Sequence, residues 1–315
     1  MRALCEASDL NGALEQAREA VALNPNIAQA VLVLGEVLLK LEQLPTAISE
    51  FQRALRLDPS LSHARYLAGC AWLAAGEADR AIDAFAALDV DEIPDRNAKI
   101  AEAEAIKTEQ RSNAGYIRHL FDQFSADYDQ RMTGQLHYQA PQILRSLAEL
   151  VMSGVADLTV LDLGCGTGLT GRTFEDVATR LDGIDLSPLM IEKARALGIY
   201  DHLEVADIET ALNAGNMLYD LVLAADTLVY LGDLRPLFSG VAKRLKEEGH
   251  FLFTVEKHGD GGFALGPKRR WRHSEPYLRA LAEEYAFDVV GFLDCVPRTE
   301  ASIPVEGYAV ALRKA

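Results

Sequence analysis

The feature that most constrains the fold of this chain is a 34-residue repeat in its amino-terminal part. Asn24-Pro25 recurs as Asp58-Pro59, and Gly35 recurs as Gly69 at the same spacing. Small residues at fixed positions let two antiparallel helices approach closely, large apolar residues fill the space between them, and the proline ends the second helix. The pattern therefore predicts stacked helical hairpins. The other repeated positions are Ala13, Ala47 and Ala81, their neighbours Leu14, Ile48 and Ile82, and the pair Phe51 and Phe85.

This spacing resembles that of the tetratricopeptide repeat family, and we assign residues 1–92 to such an all-α domain. Only about two and a half repeats fit into this segment, whereas stacked repeats usually need three or more to bury a continuous core. We therefore expect the helix-prone segment from Asp95 to Arg111 to cap the array, within a linker of residues 93–112. Such arrays offer a concave face for a peptide, or serve only in dimerisation or solubility, and the sequence leaves both open.

The charge of the chain argues against several classes of partner. With 31 Lys and Arg against 47 Asp and Glu, the net charge is −16, so the summed field repels nucleic acid and anionic lipid. The longest apolar stretch, Val31 to Leu39, is far shorter than the roughly 20 residues that a bilayer crossing needs. We expect no nucleic-acid partner and no membrane span.

Location and metal binding are also constrained by the sequence. Glu6 and Asp9 stand where a secretory signal would need an unbroken apolar core, so we expect a cytoplasmic protein. The four cysteines are too far apart in sequence for a C-x-x-C metal or redox motif. We therefore predict reduced, structural thiols and no metal site.

From about Tyr116 onward, short apolar strands alternate with helical segments, which is typical of an α/β sheet. The last two strands are joined only by a turn-rich loop, residues 297–307, so we expect them to pair antiparallel. The seven predicted strands are Leu158–Leu163, Leu181–Asp185, Leu203–Ala206, Tyr219–Ala224, His250–Glu256, Asp288–Cys295 and Tyr308–Arg313.

A run of glycines follows the first of these strands, in the segment Val160–Gly168. Glycines allow the backbone to approach a ligand, and the helix start beyond them presents free N–H groups. The segment Gly166–Gly171 also satisfies the G-x-G-x-x-G fingerprint of dinucleotide-binding proteins. The glycines therefore predict a nucleotide site without deciding between two kinds of nucleotide.

Acidic residues near the ends of three strands favour a cationic ligand. Asp162 lies two residues before the first glycine, where its carboxylate would repel a pyrophosphate and attract an ammonium or sulfonium group. Asp185 ends the second strand, where a carboxylate accepts hydrogen bonds from both hydroxyls of a ribose. Asp207 closes the third strand, where the amino group of an adenine could donate to it.

Over residues 113–315 the sequence resembles the class I S-adenosylmethionine-dependent methyltransferases, and in particular predicted methyltransferases that carry tetratricopeptide repeats. The segment Phe121–Asp129 is similar to the F-D-x-x-A-x-x-Y-D segment of quinone-biosynthesis and biotin-pathway methyltransferases. The resemblance implies a Rossmann-like, seven-stranded sheet in the order 3-2-1-4-5-7-6 with S-adenosylmethionine as cofactor. The cofactor-binding residues it implies are Tyr116, Tyr128, Asp162, Gly164, Cys165, Gly166, Gly168, Asp185, Leu186, Met190, Asp207, Ile208 and Ala225.

Methyl transfer from a sulfonium is a direct displacement, so the protein mainly positions the reactants, and a base is needed only if the acceptor must lose a proton. Histidine is the usual base near neutral pH. Our candidates are His137 with Tyr138, and then His258, which lie in segments expected to border the pocket. The segment Ala224–Tyr230 lacks the N/D-P-P-Y run that amino-group methyltransferases acting on DNA or glutamine resemble, which argues against those substrates.

A basic cluster, Lys268–His273, lies in a glycine-rich loop after the fifth strand. In the resembling families this region borders the acceptor pocket, which suggests an acidic or phosphorylated acceptor. We favour a solvated or substrate-covering loop, and the acidic or phosphorylated acceptor is the second interpretation.

The sequence thus predicts a methyltransferase that modifies an unidentified small-molecule or protein acceptor and recruits a protein or peptide partner through its repeats. Two alternatives remain open at this stage. One is a catalytically silent scaffold that retains the cofactor pocket, and the other is an NAD-dependent dehydrogenase.

Overall fold

The computed structural model describes residues 9–41, 43–108, 110–125, 128–152, 154–259, 261–266 and 269–315. The chain divides into two compact units, Met1–Glu109 and Gln110–Ala315. The division falls inside the linker predicted for residues 93–112, so the first part of that segment belongs to the repeat unit and its last residues belong to the second unit.

The described part of the first unit consists of antiparallel helical hairpins. Asp9 caps the first helix, because its side chain accepts a hydrogen bond from the Gly12 amide at 2.9 Å. The helices are α1 (Leu10–Leu23), α2 (Ala28–Lys40), α3 (Leu44–Leu57), α4 (Ser62–Ala74), α5 (Ala78–Ala86) and α6 (Arg96–Thr108).

The repeated glycines pack directly against the repeated phenylalanines. A Cβ on Gly35 would lie 2.5 Å from Cε1 of Phe51, and a Cβ on Gly69 would lie 2.6 Å from Cε1 of Phe85. Both rings are fully buried. Glycine therefore recurs every 34 residues because the ring of the following helix occupies the space that a side chain would need.

We expect Gly69→Ala to destabilise the repeat unit. Alanine favours a helix by up to about 1 kcal/mol over glycine, whereas overpacking a core costs about 1–3 kcal/mol, so we expect a net loss of roughly 1 kcal/mol. Native-state hydrogen exchange of the α4 amides in the full chain would measure this loss. The double variant Gly69→Ala/Phe85→Leu, which shortens the opposing side chain, should exchange more slowly than the single variant. Unchanged α4 protection in the single variant would show that the packing is not tight.

Helix α6 continues the array. It contributes Ala103 to an apolar cluster with Leu73, Phe85 and Leu88, and the Tyr66 hydroxyl donates to Asp95 at 2.7 Å. This packing is what a capping helix requires. That the array depends on it for stability stays a prediction.

The second unit is an α/β domain built on one mixed sheet. In its described residues the sheet contains nine strands. They are β1 (Leu158–Leu163), β2 (Ala178–Asp185), β3 (His202–Val205), β4 (Tyr219–Ala224), β5 (Leu245–Lys257), β6 (Phe263–Leu265), β7 (Trp271–His273), β8 (Phe287–Glu300) and β9 (Ile303–Lys314).

Seven of these strands form the predicted arrangement. Strands β3, β2, β1, β4 and β5 are parallel neighbours in that order. Strand β9 pairs antiparallel with both β5 and β8. Numbering only these seven strands gives the order 3-2-1-4-5-7-6, so the predicted fold class and sheet order are confirmed.

The strand count of the prediction was wrong. Strands β6 and β7 form a short antiparallel ribbon, and β7 pairs with the end of β5 at Glu256 and Lys257. Each has three residues, too few to show a period in the sequence, and both lie in the glycine-rich segment that we expected to be a loop.

The loop predicted between the last two strands is a tight hairpin. Glu300 pairs with Ile303, so only Ala301 and Ser302 form the turn. Their φ values of 48° and 64° are those of a type I′ turn, whose twist matches that of the flanking strands. Both strands therefore extend further than the sequence predicts and bring the hairpin tip to the ligand-binding edge of the sheet.

Helices cover both faces of this sheet. Leu161 and Leu163 of β1 belong to one apolar core with helices on that face, and Leu158 and Val160 belong to the core on the other face. No helix among the described residues is long and apolar enough to cross a bilayer. The helices are α7 (Ala114–Phe124), α8 (Tyr128–Gln130), α9 (Ala140–Val151), α10 (Leu169–Phe174), α11 (Pro188–Leu197), α12 (Ile208–Ala214), α13 (Arg235–Arg244) and α14 (Glu275–Glu284), with a π-helical turn Arg131–Gln135 after α8.

Candidate active site

A cavity of about 480 Å³ lies beyond the carboxyl ends of β1 to β4. This edge is where open α/β sheets bind ligands, and the volume lies within the roughly 300–1,000 Å³ of small-molecule sites. Of the residues predicted to bind a cofactor, those that line the cavity are Tyr128, Gly164, Gly166, Asp185, Leu186, Asp207, Ile208 and Ala225.

The turn after β1 consists of glycines in left-handed conformations. The φ values of Gly164, Gly166 and Gly168 are 67°, 55° and 96°, a region that is costly for other residues. A Cβ on Gly166 would meet no protein atom within 4 Å, and Gly166 lines the cavity. A side chain there would therefore project into the space available to a ligand.

Asp185 connects this turn to the end of β2. One carboxylate oxygen accepts from the Gly166 amide at 2.9 Å, and the other accepts from the Ser187 amide at 2.8 Å. Burial raises the pKa of Asp185 to about 6, although these N–H groups oppose the rise. The carboxylate keeps lone pairs for further donors, because each oxygen accepts more than one hydrogen bond.

Asp207 has a partner that the sequence did not indicate. Its carboxylate caps α12 through the Thr210 amide at 3.1 Å and forms an ion pair with Arg111, which also pairs with Glu209. Burial acts to raise the pKa of Asp207, but Arg111 and Thr210 outweigh it and hold the pKa below its usual value. A ligand donor at Asp207 would therefore have to share the carboxylate with Arg111.

Arg111 is fixed by a strap of backbone, Gln110–Ser112, that runs along the cavity. The Gln110 carbonyl accepts from the Gly232 and Asp233 amides at 2.8 and 3.0 Å, and the Ser112 amide donates to the Tyr230 carbonyl at 2.8 Å. Both Arg111 and Ser112 line the cavity. The predicted linker thus supplies part of the wall, which no local sequence pattern had suggested.

The Phe121–Asp129 segment is joined to the ligand-binding edge by two hydroxyl groups. Ser187 donates its hydroxyl proton to Asp122, and Thr167 of the glycine turn donates to Asp129 at 2.5 Å. Tyr128, which lies between Asp122 and Asp129 in the sequence, lines the cavity. The side chain of Tyr116, another predicted contact, lies outside the described part of the structure.

Asp162 is not among the residues that line the cavity. Side chains alternate along β1, so Asp162 points away from Leu161 and Leu163, and one oxygen accepts from the Tyr200 hydroxyl at 2.8 Å. Among the described residues its Oδ1 is buried without a hydrogen-bond partner. Burial raises the pKa of Asp162 to about 7; Tyr200 opposes the rise and the nearby Asp185 adds to it.

Three further predicted contacts also lie behind the cavity wall. Cys165 is buried, and burial raises the pKa of its thiol. The Met190 amide donates to Ser187 at 3.1 Å as part of the cap of α11. Gly168 begins α10, where a Cβ would lie 2.6 Å from Cδ1 of Leu197. These three residues contribute packing and local geometry.

The predicted catalytic residues His137, Tyr138 and His258 are not among the described residues that line the cavity. His137 is exposed. The Tyr138 hydroxyl instead donates to the Ala225 carbonyl at 3.3 Å, and the His258 amide donates to the His273 carbonyl at 2.9 Å. Proximity in sequence to the pocket did not determine where these side chains point.

Another part of the cavity wall contains a buried ion-pair network. Arg298, which is 1% exposed, contacts three carboxylates: Nη1 reaches Asp226, Nη2 reaches Glu256 and Nε reaches Glu300. Arg270 pairs with Glu300. We call the cavity-lining residues of this part, Arg131, Met132, Leu136, Asp226, Tyr230, Arg270, Arg298 and Glu300, the arginine wall.

Burial raises the pKa of Asp226, while Arg298 and Arg270 oppose the rise. Asp226 adopts a φ of 57° immediately beyond β4, and its amide donates to the Thr254 hydroxyl at 2.8 Å. Of the predicted basic cluster, Arg270 lines the cavity, and Lys268 lies outside the described residues.

Comparison with known families assigns both units. Residues 161–251 match the family described as methyltransferase domain, and residues 2–62 and 47–97 match the tetratricopeptide repeat family. The chain therefore contains tetratricopeptide repeats followed by a methyltransferase domain. The first match includes the glycine turn and the ends of β1 to β4.

Individual relatives are similar over part of their length. The chain is 31% identical over 113 residues to methyltransferase-like protein 27 of Homo sapiens, covering 35% of this chain and 46% of the relative. It is 28% identical over 143 residues to malonyl-[acyl-carrier protein] O-methyltransferase of Salmonella typhimurium, covering 45% of this chain and 54% of that protein. The chain thus spans about half the length of these relatives.

A solved structure supports the fold. Magnesium protoporphyrin IX methyltransferase from Synechocystis PCC 6803, crystallised with bound SAM, aligns with a TM-score of 0.50 and 17% sequence identity. The alignment covers 64% of this chain and 97% of that protein.

Proposed function

We propose that this chain, which joins tetratricopeptide repeats to a methyltransferase domain, is an S-adenosylmethionine-dependent methyltransferase. The observation that carries the proposal is a hydrogen bond at one edge of the cavity. The Gly166 amide, in the open glycine turn, donates to the carboxylate of Asp185. A nucleoside needs this combination, because its ribose hydroxyls donate to a carboxylate while the backbone approaches closely.

The residues present fit this cofactor. Asp185 would accept from the ribose, Leu186 and Ile208 would contact the base, and the open space at Gly166 would admit the methionine part. Asp162 is not among the described residues that line the cavity, so the proposal gives it no contact with the cofactor. When bound, S-adenosylmethionine supplies a methyl group activated by a positively charged sulfur. The protein would hold the acceptor in line with that methyl group and exclude water.

NAD is the alternative nucleotide for this cavity. Asp185 would accept from the ribose of either nucleotide, so the preference for S-adenosylmethionine over NAD is supported by the match of residues 161–251 to the methyltransferase domain family. A silent scaffold would retain cofactor binding without transfer, so binding and turnover must be measured separately.

Calorimetry and label transfer test the proposal together. We expect S-adenosylhomocysteine to bind the full chain and to raise its melting temperature by mass action, and we expect NAD to do neither. Methyl-labelled S-adenosylmethionine should then transfer label to a component of a native extract. Binding without transfer would favour the scaffold, and stabilisation by NAD would favour a dehydrogenase.

The affinity for S-adenosylhomocysteine should rise with pH. Burial raises the pKa of Asp185 to about 6, so below pH 6 the ligand-free protein favours the protonated carboxyl. The contribution of this protonation to the stability of the fold is lost as the pH rises through 6. The ribose hydroxyls require the ionised form. We therefore expect calorimetry to give a Kd about tenfold higher at pH 5 than at pH 8. A constant Kd, or tighter binding at pH 5, would contradict this assignment of Asp185.

We further propose that the repeat unit recruits a protein or peptide partner, or the acceptor itself. Support comes from the helical array and from its match to the tetratricopeptide repeat family. The acceptor is unidentified. The cytoplasmic location and the absence of a nucleic-acid partner stay predictions from the sequence.

A further inference from the structure

We propose that Asp226 binds the acceptor atom that receives the methyl group and takes a proton from it, so that the acceptor is an amine or a hydroxyl compound. This inference rests on the proposed methyltransferase function. Both kinds of acceptor share one chemistry, an N–H or O–H group that donates a hydrogen bond to a carboxylate.

Asp226 lies where the end of β4 meets the glycine turn. Its neighbour Thr227 donates to the Leu163 carbonyl at 3.0 Å, and a Cβ on Gly164 would lie 2.4 Å from Oγ1 of Thr227. Both Gly164 and Asp226 line the cavity. Because the methionine part of the cofactor would lie at this turn, Asp226 is next to the part of the cavity that would receive the methyl group.

The carboxylate of Asp226 is held in place by the elements around it. The Asp226 amide donates to the Thr254 hydroxyl at 2.8 Å, and Thr254 is fully buried. Oδ1 of Asp226 accepts from Arg298, which also pairs with Glu256 and Glu300. A group fixed at its backbone and at one oxygen needs little reorganisation when a ligand binds.

The second carboxylate oxygen of Asp226, Oδ2, is available to a ligand. Among the described residues, the hydrogen bond and the ion pair from Arg298 both go to Oδ1, and no other donor lies within hydrogen-bond distance of the carboxylate. Only 13% of the side chain is exposed. A partly buried acceptor of this kind is satisfied by a donor in the cavity.

Arg270 is engaged with other groups of the arginine wall. It donates to the Tyr230 hydroxyl, pairs with Glu300 and lies 3.6 Å from Glu256. Its positive charge acts on Asp226 from a distance and favours the ionised carboxylate. Within the described part of the chain, Arg270 therefore leaves Oδ2 open to a donor from the acceptor.

Burial makes Asp226 a stronger base than an ordinary aspartate, because it raises the pKa, although Arg298 and Arg270 oppose the rise. Burial also raises the pKa of Tyr128 and of Tyr138, and the charge of Asp226 adds to both shifts. These two phenols therefore stay protonated near neutral pH and are poor bases. The carboxylate is the group of this set that can take a proton.

The proposed step balances without another reactant. The lone pair of the acceptor nitrogen or oxygen forms a bond to the methyl carbon, the carbon–sulfur bond breaks, and its electron pair stays on sulfur. The proton of the acceptor passes to Oδ2 of Asp226. The products are a methylated amine or a methyl ether, a neutral thioether and a protonated Asp226, which afterwards returns its proton to water.

Label transfer by the full chain tests this inference. Methyl-labelled S-adenosylmethionine is supplied at saturating concentration with a native extract. We expect Asp226→Asn to lower the initial rate of transfer by a factor of about 10² to 10⁴, the contribution typical of a positioned base. Asparagine keeps an oxygen that accepts from Arg298 but takes up no proton. The Kd for S-adenosylhomocysteine should stay within about threefold of the wild type.

Glu256→Gln is the matched control. Glu256 also accepts from Arg298 and is buried, but it is not among the described residues that line the cavity. Both variants should show a similar fall in melting temperature, and only Asp226→Asn should lose label transfer. Similar transfer rates in the two variants would overturn the inference. Loss of S-adenosylhomocysteine binding in Asp226→Asn would assign Asp226 to the cofactor site and overturn it as well.

The labelled product gives a second readout, which needs no variant. A methyl ester releases its label as methanol in alkali, whereas N-methyl and ether O-methyl groups keep it. Alkali-stable label supports the inference, and hot hydriodic acid then distinguishes the two sources, because it releases ether O-methyl groups as methyl iodide and leaves N-methyl groups in place.

Two outcomes separate the inference from the proposed function. Alkali-labile label from a protein that binds S-adenosylhomocysteine would overturn the inference and leave the proposed function intact. If S-adenosylhomocysteine does not bind the wild type, or binds without any label transfer, the proposed function fails and the inference fails with it.

Discussion

Asp185→Asn is expected to weaken the binding of S-adenosylhomocysteine by a factor of about 10² to 10⁴. Each hydrogen bond to a charged group contributes roughly 1.5–3 kcal/mol, and two ribose hydroxyls would lose theirs, which gives about 3–6 kcal/mol. The two carboxylate oxygens of Asp185 accept from the backbone N–H groups of Gly166 and Ser187. An asparagine side chain has only one acceptor oxygen, so it cannot replace both of these oxygens. Isothermal calorimetry on the full chain measures the change.

Asp182→Asn is the matched control for this variant. Asp182 is equally buried on the same strand, accepts from the Tyr219 hydroxyl at 2.8 Å, and lies outside the cavity. We expect its affinity for the ligand to stay within about threefold of the wild type, with a normal circular dichroism spectrum for both variants. If Asp185→Asn also stayed within threefold, Asp185 would not contact the ribose.

Gly166→Ala should abolish most ligand binding while leaving the domain folded. The added methyl group has free space in the protein, because no atom lies within 4 Å of its position. The methyl group therefore occupies space that the ligand needs. We expect the free energy of ligand binding to become less favourable by about 2 kcal/mol or more, which raises Kd about thirtyfold. The φ of 55° adds a backbone penalty of roughly 1–2 kcal/mol to the stability of the variant.

Gly198→Ala separates the two effects. Gly198 has a φ of 71° and similar free space, but it ends α11 away from the cavity. Both variants should lose similar stability in thermal unfolding, and only Gly166→Ala should lose affinity. Equal affinities in the two variants would mean that the glycine turn does not approach the ligand.

The parts of the fold that could be predicted are those with a local signature. The repeat is visible because Gly35 and Phe51 recur as Gly69 and Phe85, and each glycine is required by one ring. Similarly, Asp185 was identified because it ends a strand beside a glycine turn. In both cases the residues that contact each other are fewer than about twenty positions apart in the sequence.

The arginine wall and its ion pairs with Glu256 had no such signature. Asp226, Glu256, Arg270 and Arg298 come from separate elements and meet only in the folded protein, so their pairing is invisible in a single sequence. The ribbon of β6 and β7 gave no period because each strand is three residues long. His137 and Tyr138 were chosen by chemistry, but the direction of a side chain depends on backbone geometry that the sequence pattern does not contain.

The ion-pair network around Arg298 has a consequence for how this protein could change its ligand specificity during evolution. Replacing one member leaves the other charges buried and uncompensated, at a cost of roughly 3–5 kcal/mol. Such a step would remove a large part of the roughly 5–15 kcal/mol by which natural domains are stable, before selection could act on a new ligand. New specificities should instead arise first at Met132, on the π-helical turn, and at Leu136, which follows the turn, because neither side chain carries a charge. A mutational library directed to that turn would explore substrates that a library of the network could not reach.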